Sequence, residues 1–148
     1  MSETTIRARI KTVVDAVPNS GLIHDYGRYA DQIDAMRTLY VSTIGGSSVL
    51  RAWTISCNRV MPTLPDFDGK FAEYHYVLRG YWQLDDSAAS EKSALAMGLA
   101  VMAALDADAT LQAYFTEHAS MPRFEPWIFA GMLVHYTEIE FVIAEEVS

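Results

Sequence analysis

Cysteine is nearly missing. Cys57 is alone among 148 residues, so no intramolecular disulfide can form and no cysteine-rich metal motif is possible. Basic residues are scarce too: 11 lysines and arginines against 19 aspartates and glutamates leave a net charge of −8, which counts against phosphate binding as the main activity. Long apolar runs are also lacking. The best membrane candidate, residues 94–105, is about half the length that a spanning helix needs. Residues 1–17 carry charges throughout, which predicts no secretory leader, and the chain is expected to be soluble. No internal repeat or low-complexity tract divides it. Phosphate and dinucleotide fingerprints are absent; Gly45-Gly46-Ser47 has no downstream Lys-Ser/Thr.

What is present is an ordinary globular composition, 51% hydrophobic, in a chain long enough to bury a core. One domain is expected over residues 1–148, of the α+β class. The organising stretch runs from Phe71 to Leu105. From Tyr74 to Leu84 the even positions are Tyr74, Tyr76, Leu78, Gly80, Trp82 and Leu84, and the odd ones mostly polar, the period of two of a half-buried strand. Asp85 and Asp86 end it and suit a helix N-cap. The helix that follows has no charge from Ala94 to Leu105. A helix apolar nearly all round must be buried on more than one side, and a sheet covers only one. The Leu95/Leu99/Met102 stripe is expected to pack on the sheet, with part of the small surface around Gly98 and Ala94 in short-range contact with sheet or neighbour.

Before that stretch, Ile6, Ile10, Val13, Val14 and Val17 fall at helical spacing, and Pro18-Asn19-Ser20-Gly21 stops the helix. Leu22-Ile23 reads as a short strand. Residues 31–44 read as a second amphipathic helix through Ile33, Met36, Leu39, Tyr40 and Ile44, closed by Gly45-Gly46. Val49–Val60 reads as a strand that forms a long hairpin with Phe71–Leu84 across a Met61–Gly69 loop. Residues 106–126 read as irregular, with at most a helical turn near Leu111 and a loop at Pro122 and Pro126. Ile128–Val147 reads as one long strand. The order is α-β-α-β-β-α-β, with helices packed on an antiparallel-rich sheet.

Candidate chemistry is thin. His24, His75, His118 and His135 never share one element at metal-ligand spacing, although the strands carrying His75 and His135 are candidates for neighbours. His24 and Asp25 point to opposite sides of an extended chain and form no dyad by adjacency. Strand-face histidines that simply hydrogen-bond explain the pattern better. No catalytic residue, metal or organic cofactor is expected. Arginines and large aromatics crowd two strands: Arg51, Trp53 and Arg59 on one, Arg79 and Tyr81 on the other. That is the composition of interface hot spots. An ordinary core explains the same composition, and Trp53 in particular is more often core than contact. With the small residues of the apolar helix added, Trp53, Arg79, Tyr81, Ala94 and Gly98 are the candidate contact residues.

Several stretches together resemble the tail terminator (tail completion, or minor tail) proteins of long-tailed bacteriophages and prophages. They are Leu22-Ile23-His24-Asp25-Tyr26, Arg51-Ala52-Trp53-Thr54-Ile55 with Arg59, His75-Tyr76-Val77-Leu78-Arg79-Gly80-Tyr81-Trp82 followed by Asp85 and Ser90-Glu91, and the closing His135…Glu138-Ile139-Glu140…Glu145-Glu146-Val147. The resemblance spans most of the chain outside Met61–Gly69 and Asp106–Pro126. It implies a structural virion protein, made in the bacterial host cytoplasm and ending in the tail at the head–tail junction. There it would form a homo-oligomeric ring, usually of six, that stops growth of the tail tube. Its partners would be its own copies, the tail tube protein and a head-completion protein, with DNA passing through unbound. An acidic subunit agrees with that passage, since a basic lumen would hold the DNA. Two other readings stay open: another neck or connector component, and a small ligand-binding or enzymatic α+β domain with Tyr74, His75 or His135 lining a pocket.

Overall fold

In the computed structural model, which describes residues 2–63 and 70–147, helix α1 (Glu3–Asp15) starts at an N-cap: the Ser2 hydroxyl accepts a hydrogen bond from the Thr5 amide at 3.2 Å. Its Ile6, Ile10, Val13 and Val14 are buried, as their spacing requires. Short elements follow: β1 (Leu22–His24), α2 (Ile33–Thr38) and β2 (Val41–Ile44). Then come the long strands β3 (Ser47–Thr63) and β4 (Lys70–Gln83). A 3-10 turn (Asp86–Ala88) leads into α3 (Ser90–Ala107) and α4 (Ala109–Gln112), and β5 (Phe115–Phe129) and β6 (Met132–Val147) complete the chain. The fold is α+β, and its element order roughly matches the expectation.

The six strands make one sheet in the order β1-β3-β4-β6-β5, with β2 pairing the start of β3. Among the described residues, β1 alone runs parallel to its neighbour. Helices α1, α3 and α4 lie on one face. Between them and the sheet sit Trp53, Ile55, Tyr76, Leu78, Ile139, Phe141 and Ile143. These are the even positions of β4 and their register partners, so the period-two reading of that strand holds. Helix α2 covers one end of the far face, where Tyr40, Leu50, Ala52 and Val134 form a smaller core.

At five places the elements differ from the expectation. The helix expected over residues 31–44 spans only Ile33–Thr38 and buries none of its residues. Val41-Ser42-Thr43-Ile44 is instead a strand pairing with Leu50–Ser47, and Gly45-Gly46, at φ +59° and +81°, is its hairpin turn. Three β-branched residues in four, beside Gly-Gly, are the signal that a 3.6-residue period obscured. Next, residues 115–129 are a strand, not a loop. Pro122 and Pro126 are tolerated because β5 is the sheet's edge, and its register shifts three times before Arg123. Third, Ile128–Val147 is not continuous: Ala130 and Gly131, at φ +49° and +76°, turn the chain between β5 and β6.

The fourth correction concerns Asp85 and Asp86, which do not cap α3. Ala89, in left-handed conformation, precedes Ser90, and no side chain caps the helix. Asp85 instead accepts a hydrogen bond from the Ser87 hydroxyl at 2.7 Å. Fifth, Met61–Thr63 belong to β3, while residues 64–69 of the expected Met61–Gly69 loop lie outside the described residues.

Candidate functional site

Helix α3 presses its small residues, not its leucines, onto the sheet. Ser90, Ala94, Gly98, Val101 and Leu105 recur at intervals of three or four and are the buried stripe. A Cβ on Gly98 would lie 2.5 Å from Met121 Cε and 3.4 Å from Thr137 Cγ2, so the backbone there almost touches β5 and β6. Close approach is what glycine and alanine permit. It also turns the expected packing around: Leu95 is 37% exposed and Leu99 53%, while Met102 alone of that stripe packs partly on the core.

The five candidate contact residues therefore divide. Trp53 is 3% exposed and lies in the main core, its ring 2.6 Å from where a Gly80 Cβ would stand. Ala94, 2% exposed, and Gly98 face the chain's own sheet. These three are covered by their own chain. Arg79 and Tyr81 lie on the opposite face. Tyr81 joins a line of rings: its centroid is 4.2 Å from Phe129, 5.2 Å from Tyr40 and 5.6 Å from Tyr136, and Trp127 extends the line from Tyr136. Burial raises the Tyr81 hydroxyl's pKa, and burial with a hydrogen bond to Glu138 pushes that of Tyr136 up to about 12. Both phenols are neutral packing groups.

Further along that far face, register aligns Arg59, His75, Val142 and Glu117 in one row across four strands, and Ser56, Val77, Glu140 and Ser120 in the next. The twisted sheet leaves a groove of about 310 Å³ there, with Arg59 and His75 on one side and Glu117 and Glu140 on the other. The strands carrying His75 and His135 are neighbours, but His75 pairs with Val142 and His135 with Trp82, so the histidines stand seven residues apart in register. Among the described residues no three His, Cys, Asp or Glu side chains gather as a metal site would need. Burial pushes the Cys57 thiol up, away from a reactive thiolate.

A polar pair escaped the sequence reading. The Ser90 hydroxyl lies 2.7 Å from His135 Nε2 and accepts the Asp85 amide hydrogen bond at 2.8 Å. Phe124 stacks parallel on the imidazole. Burial holds His135 below the ordinary histidine range, against the opposing pull of Glu91. No carboxylate is hydrogen-bonded to this histidine among the described residues, so the third group of a nucleophilic triad is not in place. The pair pins the start of α3 to β6. The four-residue spacing of Ser90, Ala94 and Gly98 is the sequence signal that points to this close stripe.

Compared with models of known protein families, the chain matches none, and curated proteins give no match either. No helix among the described residues is long and apolar enough to cross a membrane.

What remains distinctive is the outward side of α3. Ser93, Leu95, Ala96, Leu99, Ala100 and Ala103 are all exposed, and none is charged. An ordinary surface helix carries charge on that side.

Proposed function

We propose that this chain is a structural subunit of a phage or prophage tail, of the tail terminator type. Copies close into a ring, of six in the family it resembles, on the head-proximal end of the tail tube. The ring stops tube growth and presents a surface to head-completion proteins. The observation that carries the reading is the run of exposed, uncharged residues on α3 between Lys92 and Asp106, with Leu95 and Leu99 among them. Exposed apolar side chains gathered on one helix face support a protein contact there.

The far sheet face supports the same reading. Its groove mixes cationic and anionic side chains without a convergent catalytic set, which suits a polar docking rim better than a substrate site. The net charge of −8 fits a ring through which DNA slides. A polymerisation assay tests the function. Tail tube subunits from the same phage, assembled with and without this protein, should give shorter tubes in its presence, at substoichiometric amounts. Tubes of unchanged length at a molar excess would refute it.

A further inference from the structure

The outward side of α3 has a symmetry that decides what fits it. Lys92 and Asp106 stand seven residues to either side of Leu99. Positions seven apart on a helix lie on nearly one line, since two turns take 7.2 residues. Lys92, Leu99 and Asp106 thus share a stripe, with Leu95 and Ala103 beside it. The Asp106 carboxylate also accepts a hydrogen bond from the Ala119 amide of β5 at 3.4 Å, which fixes where that stripe runs: along the β5 flank of the helix. Lys92 is exposed and forms no ion pair among the described residues. Asp106 keeps 39% of its side chain exposed, with His118 3.4 Å away.

We propose that α3 is the contact of a two-fold pair of this chain, with the two helices antiparallel and Leu99 at the axis. That arrangement sets Lys92 of each copy opposite Asp106 of the other, so both ends of the contact gain an ion pair of opposite charge. It also sets Leu95 against Ala103 and Met102 against Ala96, large residues over small ones. A parallel pair would instead oppose Lys92 to Lys92 and Asp106 to Asp106. The edge strand β5 is a poorer contact: Pro122, Pro126 and its register shifts interrupt the ladder that a second strand would extend. A single helix pair is small, and contacts below about 1,200 Å² are weak and transient, so the pair forms reversibly at high protein concentration.

The pair does not rest on the ring reading, and it takes the α3 face for itself, so the ring's own contacts lie on other surfaces. A two-fold contact closes on itself, whereas a ring uses two different surfaces. Sedimentation equilibrium over a wide concentration range tests it on the full chain. Three variants go with the parent: Leu99→Glu, Lys92→Glu, and Lys92→Glu combined with Asp106→Lys. The expected result is a monomer–dimer equilibrium for the parent that weakens in high salt. Leu99→Glu abolishes it, Lys92→Glu weakens it at least tenfold, and the double reversal recovers part of that loss. Because Lys92 and Leu99 are exposed, both single variants keep the parent's circular dichroism spectrum. A parent that stays monomeric at the highest concentration overturns the pair, as does a dimer indifferent to Leu99→Glu. A larger closed assembly untouched by Leu99→Glu overturns it too, and shows a ring whose contacts lie away from Leu99.

Discussion

The Ser90 hydroxyl and His135 Nε2, 2.7 Å apart, join the first turn of α3 to β6 inside the protein. The hydroxyl oxygen accepts from the Asp85 amide, which leaves its own proton free to go to Nε2 of a neutral imidazole. Burial favours the same state by lowering the histidine's pKa in the fold. Unfolded, the group titrates near 6.5. Between that value and the lowered one the unfolded chain binds more protons, so stability falls as pH drops through that window. Thermal unfolding from pH 7 to 5 should show this slope, and His135→Gln should flatten it while lowering stability at neutral pH. Ser90→Ala, which strips the Asp85 amide of its acceptor, should cost about 1–3 kcal/mol.

Asp108 adds an acid sensitivity of the same sign in a lower pH window. Its carboxylate caps α4 by accepting the Leu111 amide at 2.9 Å and pairs with the Arg9 guanidinium. The hydrogen bond from Arg9 holds its pKa below the usual carboxylate range. This contribution is complete above the unfolded aspartate value, about 3.9, and disappears as pH falls through the lower folded value. Asp108→Ala should cost about 1 kcal/mol at neutral pH for the lost cap alone. Urea titration measures it, and Asp108→Asn should recover part of the cap but none of the acid sensitivity.

Two glycines should respond differently to an added methyl. Gly80 lies beneath Trp53, where a Cβ would sit 2.6–2.8 Å from three ring carbons that cannot bend aside. Gly80→Ala should destabilise by about 1–3 kcal/mol, the range for overpacking. At Gly98 the obstacle within 3 Å is Met121 Cε, the tip of a flexible side chain. Alanine there gains up to about 1 kcal/mol of helix propensity, which offsets the shift of Met121. Gly98→Ala should be near neutral by the same urea titration, and a loss comparable to that of Gly80→Ala would place a harder wall at this point.

Ala94 faces the sheet, so Ala94→Glu buries a carboxylate that has no partner there. Its cooperative thermal transition should be lost or fall steeply, whereas Leu99→Glu, one turn further along and outward, should melt like the parent. Equal melting of the two variants would mean that the helix does not rest on Ala94.

The long strands and α1 were legible because their burial is periodic: Ile6, Ile10 and Val14 at helical spacing, Tyr76 and Leu78 at alternate positions. Where the reading failed, local signals competed. Pro122 and Pro126 mark a loop unless the strand is known to lie at an edge, which depends on tertiary order. Residues 128–147 looked continuous because neither Ala130 nor its neighbours break the apolar pattern, and only the left-handed Ala130-Gly131 backbone turns the chain. The orientation of α3 was hidden for a related reason. In a helix apolar all round, hydrophobicity cannot choose the buried side, and backbone approach at Ala94 and Gly98 decides it. Trp53, Ala94 and Gly98 were expected at a contact because aromatic and small residues serve cores and interfaces alike; Arg79 and Tyr81 lie on the far face, away from them.

Electron microscopy of tail tubes mixed with the purified protein tests the central claim most directly. Tubes incubated with the parent chain should carry a closed ring at one end only, the end that joins the head, with averaged top views resolving its symmetry. Bare tube ends, together with only monomers in the surrounding field at high protein concentration, would contradict it.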